Sequence, residues 1–318
     1  MILVTGSTGF IGRHLVPALV GAGWPVRILI QAPPGSVQLP WPGLAVDAFH
    51  GSLYDPDTLS EALRGVHTVF HLASAQWWGR PRDLERVDLG GTAALLEATR
   101  RARVGRIVVM SHLGAASTSA YPLLRFKGQV EGLVVSSGVP YTIIRSGIVF
   151  GEQDRFANNI AMLLRTNPVI FLQPGEGENL LHPLYIRDLV AALLASMDHL
   201  DTVDRVLEIG GPEYITFTEV VRTIMRVTNT PRIIIQVPPY TLRFLTRVAR
   251  RIFPRWPATH QWFDLLAGHR TAALDTIGDL FGIRPARFED TLLTYMPGRR
   301  YELELFRFLF RRRRPRGI

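Results

Sequence analysis

The first residues of the chain combine an apolar run with three evenly spaced glycines. Residues 2–4 are apolar and typical of a buried parallel strand, and residues 13–22 have the apolar spacing of a helix. Between them, Gly6, Gly9 and Gly12 recur at intervals of three residues. Gly6 permits a tight turn after the strand, Gly9 lets a ligand approach the backbone, and Gly12 lets the helix pack closely on the sheet. We therefore predict a strand–turn–helix unit here.

This turn has the flanks that an anion-binding site requires. The first N–H groups of a helix have no partner within the helix, and they lie at the positive end of its dipole. A pyrophosphate is stabilised at such a helix start. The sequence therefore predicts a dinucleotide site, and a glycine-rich turn without a ligand is the alternative. The predicted contacts are Gly6, Ser7, Thr8, Gly9, Phe10, Ile11, Gly12 and Arg13.

Strand-like and helical segments alternate through the first half of the chain. The predicted strands are 2–5, 26–30, 46–49, 68–72, 106–111 and 142–145, and the predicted helices lie near 12–22, 56–63, 83–102 and 124–136. Such alternation predicts right-handed crossovers and an α/β fold. The predicted architecture is a Rossmann-type doubly wound parallel sheet with a smaller C-terminal lobe.

The predicted domain boundaries follow from where this alternation ends. We predict an NAD(P)-binding Rossmann domain over 1–150 and a smaller substrate lobe over 151–298. Segments near 182–215 are predicted to return to the sheet, and 299–318 form a basic apolar tail. Asp188 is predicted to cap one helix of this half, and Thr216 or Thr218 another.

Composition excludes several classes of protein. The chain has 318 residues and no cysteine, which excludes disulfides and thiolate metal sites, and no metal site is predicted. It has no apolar run of the ~18 residues that a membrane-spanning helix needs. Because the first strand starts at residue 1, we expect no signal or transit peptide before it. The expected location is the cytoplasm, including the inner face of the cell membrane.

The net charge of +9 is concentrated in two late segments. Residues 242–256 hold five arginines and no acidic residue, and residues 299–318 hold eight arginines against two glutamates. Apolar and aromatic residues lie among these arginines, and this combination suits the surface of an anionic membrane. We predict peripheral membrane binding through both segments. A solvated arginine-rich surface is the alternative, and nucleic acid is not predicted because no base-reading motif accompanies the charge.

The glycine spacing resembles that of a known superfamily. G-x-x-G-x-x-G is similar to the motif of short-chain dehydrogenases/reductases, and V-T-G-S-T-G-F-I-G resembles their extended and atypical branches, which include NAD-dependent epimerases/dehydratases. The resemblance covers roughly 1–215, and the group it resembles most contains the nucleotide-binding accessory subunit of respiratory complex I. It implies bound NADP(H), frequent loss of a catalytic tyrosine, and association with membranes, quinone-related machinery or a membrane protein complex.

The resemblance also implies further cofactor contacts. Gln31 ends the second strand, where a carboxylate would bind the ribose of NAD, and Arg13 can reach a 2′-phosphate. Gln31 by itself is compatible with either cofactor, and Arg13 favours NADP(H) over NAD(H); an exposed helix residue is the alternative role for Arg13. Ser52 stands where the family has an acid that binds adenine. The implied contacts are Gln31, Ser52, Leu53, Leu72, Ala73, Ser74, Lys127 and Ile148.

The catalytic pattern of the superfamily is incomplete in this chain. That reaction uses a tyrosine to pass a proton, a lysine four residues later and a serine that polarises the carbonyl. Ser111 and Lys127 match the serine and the lysine, and Lys127 is the only lysine of the chain. An arginine is larger and planar, and it cannot make the same contacts. Leu123 occupies the tyrosine position. Tyr121, in a register that pairs it with Arg125, is the alternative proton donor.

The substrate side offers fewer signals. Trp77 and Trp78 can line an apolar pocket or serve in packing, and His182 is either a polar group at the pocket mouth or, more in keeping with its type, a structural histidine. Two functions stay open. One is a reductase or isomerase of an apolar small molecule, in which Ser111 and Lys127 position the substrate. The other is a non-catalytic nucleotide-binding component of a membrane complex.

Overall fold

The structure, a computed structural model, describes residues 1–31, 33, 38–76, 81–253 and 255–310. Trp77, Trp78 and residues 311–318 lie outside the described residues, so the predictions made for them stay predictions.

Seven strands of the described chain form a central sheet, and the other strands pair in twos. Their bounds are β1 Ile2–Thr5, β2 Val26–Ile30, β3 Asp47–His50, β4 Thr68–His71, β5 Arg106–His112, β6 Tyr141–Ser146, β7 Val149–Phe150, β8 Ile170–Pro174, β9 Leu180–Leu181, β10 Leu184–Tyr185, β11 Arg205–Ile209, β12 Ile215–Thr216 and β13 Ile233–Val237. The sheet order is β3-β2-β1-β4-β5-β6-β11, and β1 to β6 pair in parallel. The chain order reverses between β1 and β4, where ligands bind in doubly wound sheets. The predicted doubly wound fold is confirmed.

The helices flank these strands. Their bounds are α1 Phe10–Gly21, α2 Pro56–Ala62, α3 Pro81–Leu84, α4 Gly91–Arg101, α5 Pro122–Val135, α6 Ala157–Leu163, α7 Ile186–Asp198, α8 Phe217–Val227, α9 Pro239–Ile252, α10 His260–Leu266, α11 Thr276–Phe281, α12 Phe288–Tyr295 and α13 Tyr301–Phe310. A π-helix covers Glu85–Gly90, and a 3-10 helix covers Leu200–Thr202.

Contacts divide the described chain into two compact units. The first unit holds Met1–Ser146 and Leu189–Glu208, and the second holds Gly147–Asp188 and the described residues from Ile209 onward. The second unit contains the short strand pairs β7–β10, β9–β12 and β8–β13. The predicted boundaries at 150 and 298 stay a prediction.

The core of the first unit covers the sheet with apolar helix faces. Leu59 of α2, Leu95 of α4 and Val130 of α5 pack with Leu3 and Val69 of the sheet, and all five are buried. Strands β1 and β4 are buried along their whole length, as expected for a parallel sheet that is covered on both faces. This packing holds the ends of β1 and β4 rigidly beside each other.

One prediction of local structure was wrong, and two are confirmed. The predicted helical segment near 83–102 is helical from Pro81 to Arg101, as α3, the π-helix and α4 in succession. Asp188 does not cap its helix, because α7 already begins at Ile186; its carboxylate instead accepts from the backbone N–H of Ala286 at 2.8 Å. Thr216 does cap α8, in a capping box with Glu219.

Candidate nucleotide site

The glycine turn closes directly onto the end of β4. Gly6 has φ +67°, and a Cβ there would lie 2.6 Å from backbone atoms of Leu72 and Ala73. Leu72 itself donates its N–H to Thr5 O at 3.2 Å. The backbone after β1 therefore lies against the backbone after β4, and only glycine fits there.

Gly12 lies close to the turn that precedes α1. A Cβ there would lie 2.4 Å from Ser7 O, and the predicted packing of the helix on the sheet stays a prediction. The glycine thus lets α1 approach the turn that precedes it. Gly9 is the N-cap residue of α1, with an extended backbone and its N–H donated to Gly6 O at 2.9 Å.

The start of α1 keeps the polar groups that an anionic ligand would use. No side chain of the described residues caps α1, and its first turn, with Phe10 and Ile11, contains no acid. Ser7 Oγ is buried and has no hydrogen-bond partner among the described residues. A buried hydroxyl without a partner is costly, and a phosphate at the uncapped helix start would satisfy it. The residues present therefore fit a dinucleotide pyrophosphate.

The end of β2 carries a second buried polar atom without a hydrogen-bond partner among the described residues. Gln31 Oε1 is buried and without a hydrogen-bond partner among the described residues. Arg13 lies close to the turn and donates Nε–H to Thr8 O at 2.9 Å. An amide and a guanidinium replace the carboxylate that would repel a 2′-phosphate.

The loops after β3 and β4 carry the other implied contacts. Ser52 Oγ accepts the N–H of Tyr54 at 3.2 Å, and Leu53 is buried beside Gly91. Ser74 Oγ donates to Asp88 Oδ1 at 2.6 Å. The structure brings these loops to the same edge of the sheet as the glycine turn, because both strands end there.

Lys127 forms a buried ion pair that the sequence did not predict. Its Nζ lies 3.2 Å from Asp88 Oδ1, and the two side chains are only 8% and 2% exposed. Asp88 also accepts from Ser74 Oγ through Oδ1 and from Ala75 N–H at 2.9 Å through Oδ2. Lys127 Nζ further approaches Met110 O at 3.4 Å. The π-helix and α5 thus fix the ammonium group within the first unit.

Ser111 belongs to a second charged network. Its buried hydroxyl donates to Glu131 Oε1 at 2.5 Å. Arg145 binds both oxygens of Glu131, at 3.0 and 2.6 Å, and reaches Glu208 at 2.9 Å. These hydrogen bonds, with Glu131 first, raise the pKa of Arg145 above its ordinary value. The Glu131 side chain therefore accepts from both Ser111 and Arg145, and it fixes the direction of the serine hydroxyl.

The tyrosine alternative lies at the start of α5. Tyr121 is the N-cap residue, with extended backbone, so it precedes the helix rather than sharing a face with Arg125. Arg125 instead lies over the ring of Phe126, 5.7 Å from its centroid. Leu123 is fully buried in the first turn, one turn before Lys127.

A buried histidine links β1, β4 and the π-helix. His71 Nδ1 lies 2.8 Å from Thr5 Oγ1, and Nε2 lies 2.9 Å from Thr92 Oγ1, whose hydroxyl donates to Asp88 O. Because that hydroxyl proton is used, Nε2 carries the ring proton and Nδ1 accepts from Thr5. Burial, and next the charge of Lys127, lower the pKa of His71 to about 4.

This histidine makes the stability of the fold depend on pH. Between about pH 4 and pH 6.5 the unfolded chain protonates this group and the folded chain does not, so the free energy of unfolding falls as pH falls. From pH 7 to pH 4, we expect wild type to lose about 3 kcal/mol more than His71→Gln. Urea unfolding at both pH values measures the difference. Equal losses in the two proteins would contradict the assignment.

Two predicted residues lie in the second unit. His182 is fully buried; its Nε2 lies 2.6 Å from Gly211 O, and its Nδ1 accepts from Ala272 N–H at 3.2 Å. Both ring nitrogens are satisfied, as in a structural histidine, and burial lowers its pKa. Ile148, an implied cofactor contact, is also buried.

Sequence reasoning missed four site residues: His71, Asp88, Glu131 and Arg145. For Asp88, a lone acid in the sequence does not reveal its partner. Glu131 had a local signal, since it lies four residues after Lys127 on one face of a helix. Nothing local signalled His71 or Arg145.

Comparisons with known proteins identify an NAD(P)H-binding family. The NAD(P)H-binding family matches residues 6–163. A (4-alkanoyl-5-oxo-2,5-dihydrofuran-3-yl)methyl phosphate reductase of Streptomyces griseus is 30% identical over 238 residues, which are 73% of this chain and 75% of that protein. Sterol demethylase protein B of Methylococcus capsulatus is 28% identical over 282 residues, covering 80% and 83%. Mouse mitochondrial NADH dehydrogenase (ubiquinone) 1 alpha subcomplex subunit 9 is 26% identical over 240 residues, covering 71% and 60%.

Solved structures share the fold. MoeE5, solved with UDP-glucose and NAD, superposes with a TM-score of 0.70 at 23% identity and covers 96% of this chain and 98% of that one. The doubly wound sheet with its glycine turn defines a dinucleotide-binding Rossmann protein. The chain belongs to the NAD(P)-binding Rossmann family, among the atypical short-chain dehydrogenases/reductases. In the described part of the chain, no helix is both long and apolar enough to cross a membrane.

Proposed function

We propose that this protein binds NADP(H) at a membrane surface and reduces or isomerises an apolar small molecule. The observation that carries the proposal is Lys127, the only lysine of the chain, held buried by Asp88 beside the serine strand. A buried ammonium is costly, so its presence needs a role beyond surface charge. The relatives named as a reductase and a sterol demethylase protein support this direction.

Each group has a distinct part in this proposal. The N–H groups at the start of α1 and Ser7 Oγ bind the pyrophosphate, and Gln31 with Arg13 receives the 2′-phosphate. Bound NADPH supplies a hydride. Lys127 holds the ribose. Ser111 orients the substrate carbonyl once its hydroxyl turns from Glu131 to the substrate, because it has a single proton to donate. Since the Leu123 side chain has no acidic proton to give, water or another side chain delivers the proton.

A fluorescence titration tests the cofactor assignment. We expect NADPH to bind at least about tenfold more tightly than NADH, because no carboxylate at the end of β2 repels the 2′-phosphate. Lys127→Ala is expected to weaken NADPH binding by about tenfold or more through loss of a charged hydrogen bond. The control is Arg64→Ala, an exposed cation on the first unit, which is expected to bind as wild type does. Unchanged binding by Lys127→Ala would remove Lys127 from the site.

A second function has its own supporting observation. Leu123 fills the tyrosine position as a fully buried core residue, and both Ser111 and Lys127 are engaged by carboxylates. A non-catalytic nucleotide-binding component of a membrane complex fits this arrangement, and the relative named as a NADH dehydrogenase subunit supports it. NADPH oxidation with a panel of apolar aldehydes, ketones and quinones separates the two. Turnover supports the enzyme, and tight NADPH binding without turnover supports the component.

A further inference from the structure

Helix α9 exposes apolar side chains that an amphipathic helix normally buries. Tyr240, Phe244, Val248 and Ile252 recur every four residues, which places them along one helix face, and each is between 43% and 75% exposed. Leu242 is buried, so this helix packs through a different face. The exposed stripe is therefore not part of the core of the second unit.

Helix α13 extends the same kind of surface. Tyr301 is fully buried and anchors the helix, whereas Phe306 and Phe310 are each 62% exposed. Their ring centroids lie 4.8 Å apart, and Phe310 lies 6.1 Å from Phe253, the residue that follows α9. The rings thus join the two helices. We name Tyr240, Phe244, Val248, Ile252, Phe306 and Phe310 the exposed aromatic surface.

Arginines accompany this surface. Arg247 and Arg251 lie three residues after Phe244 and Val248, so they stand beside the stripe on α9, and both are exposed. Residues 239–252 contain four arginines and no acidic residue. Several exposed apolar side chains next to cations of one sign are unusual on an unpartnered surface.

The acids of α13 do not cancel this charge. Glu302 pairs with Arg165 at 2.6 Å, and Glu304 pairs with Arg299 at 2.9 Å. Both carboxylates are compensated by residues outside α13, while the exposed Arg307 adds a further cation to the helix. The surface therefore presents positive charge around an apolar centre.

We propose that the exposed aromatic surface docks the protein on a bilayer that contains anionic lipids. This rests on the membrane location in the proposed function and assigns the residues that achieve it. Aromatic and aliphatic side chains enter the boundary between headgroups and acyl chains, and guanidinium groups bind the lipid phosphates. Nucleic acid fits less well, since Val248 and Ile252 gain nothing from stacking on bases.

Vesicle sedimentation tests the docking. The purified full chain is mixed with phosphatidylcholine vesicles, with and without phosphatidylglycerol. We expect wild type to prefer the anionic vesicles and to lose binding as salt is raised. Phe244→Glu with Ile252→Glu is expected to reduce binding at least about tenfold. Arg247→Glu with Arg251→Glu is expected to remove the preference for phosphatidylglycerol, because each arginine is expected to raise the affinity for anionic vesicles about fivefold.

Controls separate this inference from the proposed function. Leu200→Glu alters an apolar residue that is 83% exposed on the first unit, and it should sediment as wild type does. NADPH titration of every variant checks the fold and the nucleotide site. Wild type that binds NADPH but no vesicle, or a Phe244/Ile252 variant that sediments like wild type, overturns the docking alone. Retention of wild type on duplex DNA rather than vesicles overturns it as well. Vesicle binding without NADPH binding overturns the proposed cofactor instead.

Discussion

Gly6→Ala is expected to abolish most of the nucleotide affinity and to destabilise the fold. The residue has φ +67°, and the added methyl group would lie 2.6 Å from backbone atoms of Leu72 and Ala73. Backbone cannot rotate away as a side chain can, so the turn after β1 must separate from the loop after β4. We expect the free energy of unfolding to fall by about 3 kcal/mol, from the left-handed conformation and the overlap together.

The same shift moves the N–H groups that bind the pyrophosphate. Loss of one or two charge-assisted hydrogen bonds corresponds to about tenfold to a hundredfold weaker NADPH binding. Urea unfolding and fluorescence titration measure both effects. Gly21→Ala is the matched control, because Gly21 ends α1 and its added Cβ would meet open space. Apart from its two chain neighbours and the backbone of its own helix, no heavy atom of the described residues lies within 4 Å of that Cβ. Gly21→Ala should keep the wild-type free energy of unfolding and the wild-type affinity for NADPH. If Gly6→Ala also kept both, the packing of this turn would be contradicted.

Asp88→Ala is expected to destabilise the protein by about 3 to 5 kcal/mol, because it leaves a buried ammonium without its counterion. Lys127 is 8% exposed and lies 3.2 Å from Asp88, so water cannot replace the carboxylate without a local opening. Ser74 Oγ and Ala75 N–H lose their acceptor at the same time. Urea unfolding at pH 7 measures the loss, and NADPH titration should show weaker binding, since the loop after β4 loses its tether.

Two further variants test the reason for that loss. Asp88→Ala combined with Lys127→Ala should cost less than the sum of the single changes, because the double variant has no unpaired charge. Glu97→Ala removes a carboxylate that pairs with Arg100 and Arg101 on the exposed side of α4, and it should change the unfolding free energy little. Additive losses for the pair would show that the ion pair is not what holds this region.

The candidate site was predictable where its signal is local. The strand, turn and helix at residues 2–22 follow one another along the chain, so glycine spacing and apolar periodicity identify them directly. Ser111 and Lys127 could be found because their flanking residues match a family pattern. Asp88 could not be assigned to Lys127, since the two lie 39 positions apart, one on the π-helix and one on α5, and meet only in the folded chain.

The same limit applies to the arginine-rich segments. The four-residue spacing of the apolar residues of α9 can be read from the sequence, and so can the number of its arginines. Which side of that helix is buried depends on its neighbours, and the structure buries Leu242 while leaving Phe244 and Ile252 exposed.

By itself, the sequence determined the doubly wound fold, the glycine turn and the absence of the usual tyrosine, because each depends on residue type and short-range spacing. The tertiary structure alone decided the partners of the charged groups: Asp88 for Lys127, Glu131 for Ser111 and Arg145 for Glu131. These pairs join different strands and helices, and their energy depends on burial and on distances of a few ångströms, which no spacing along the chain encodes.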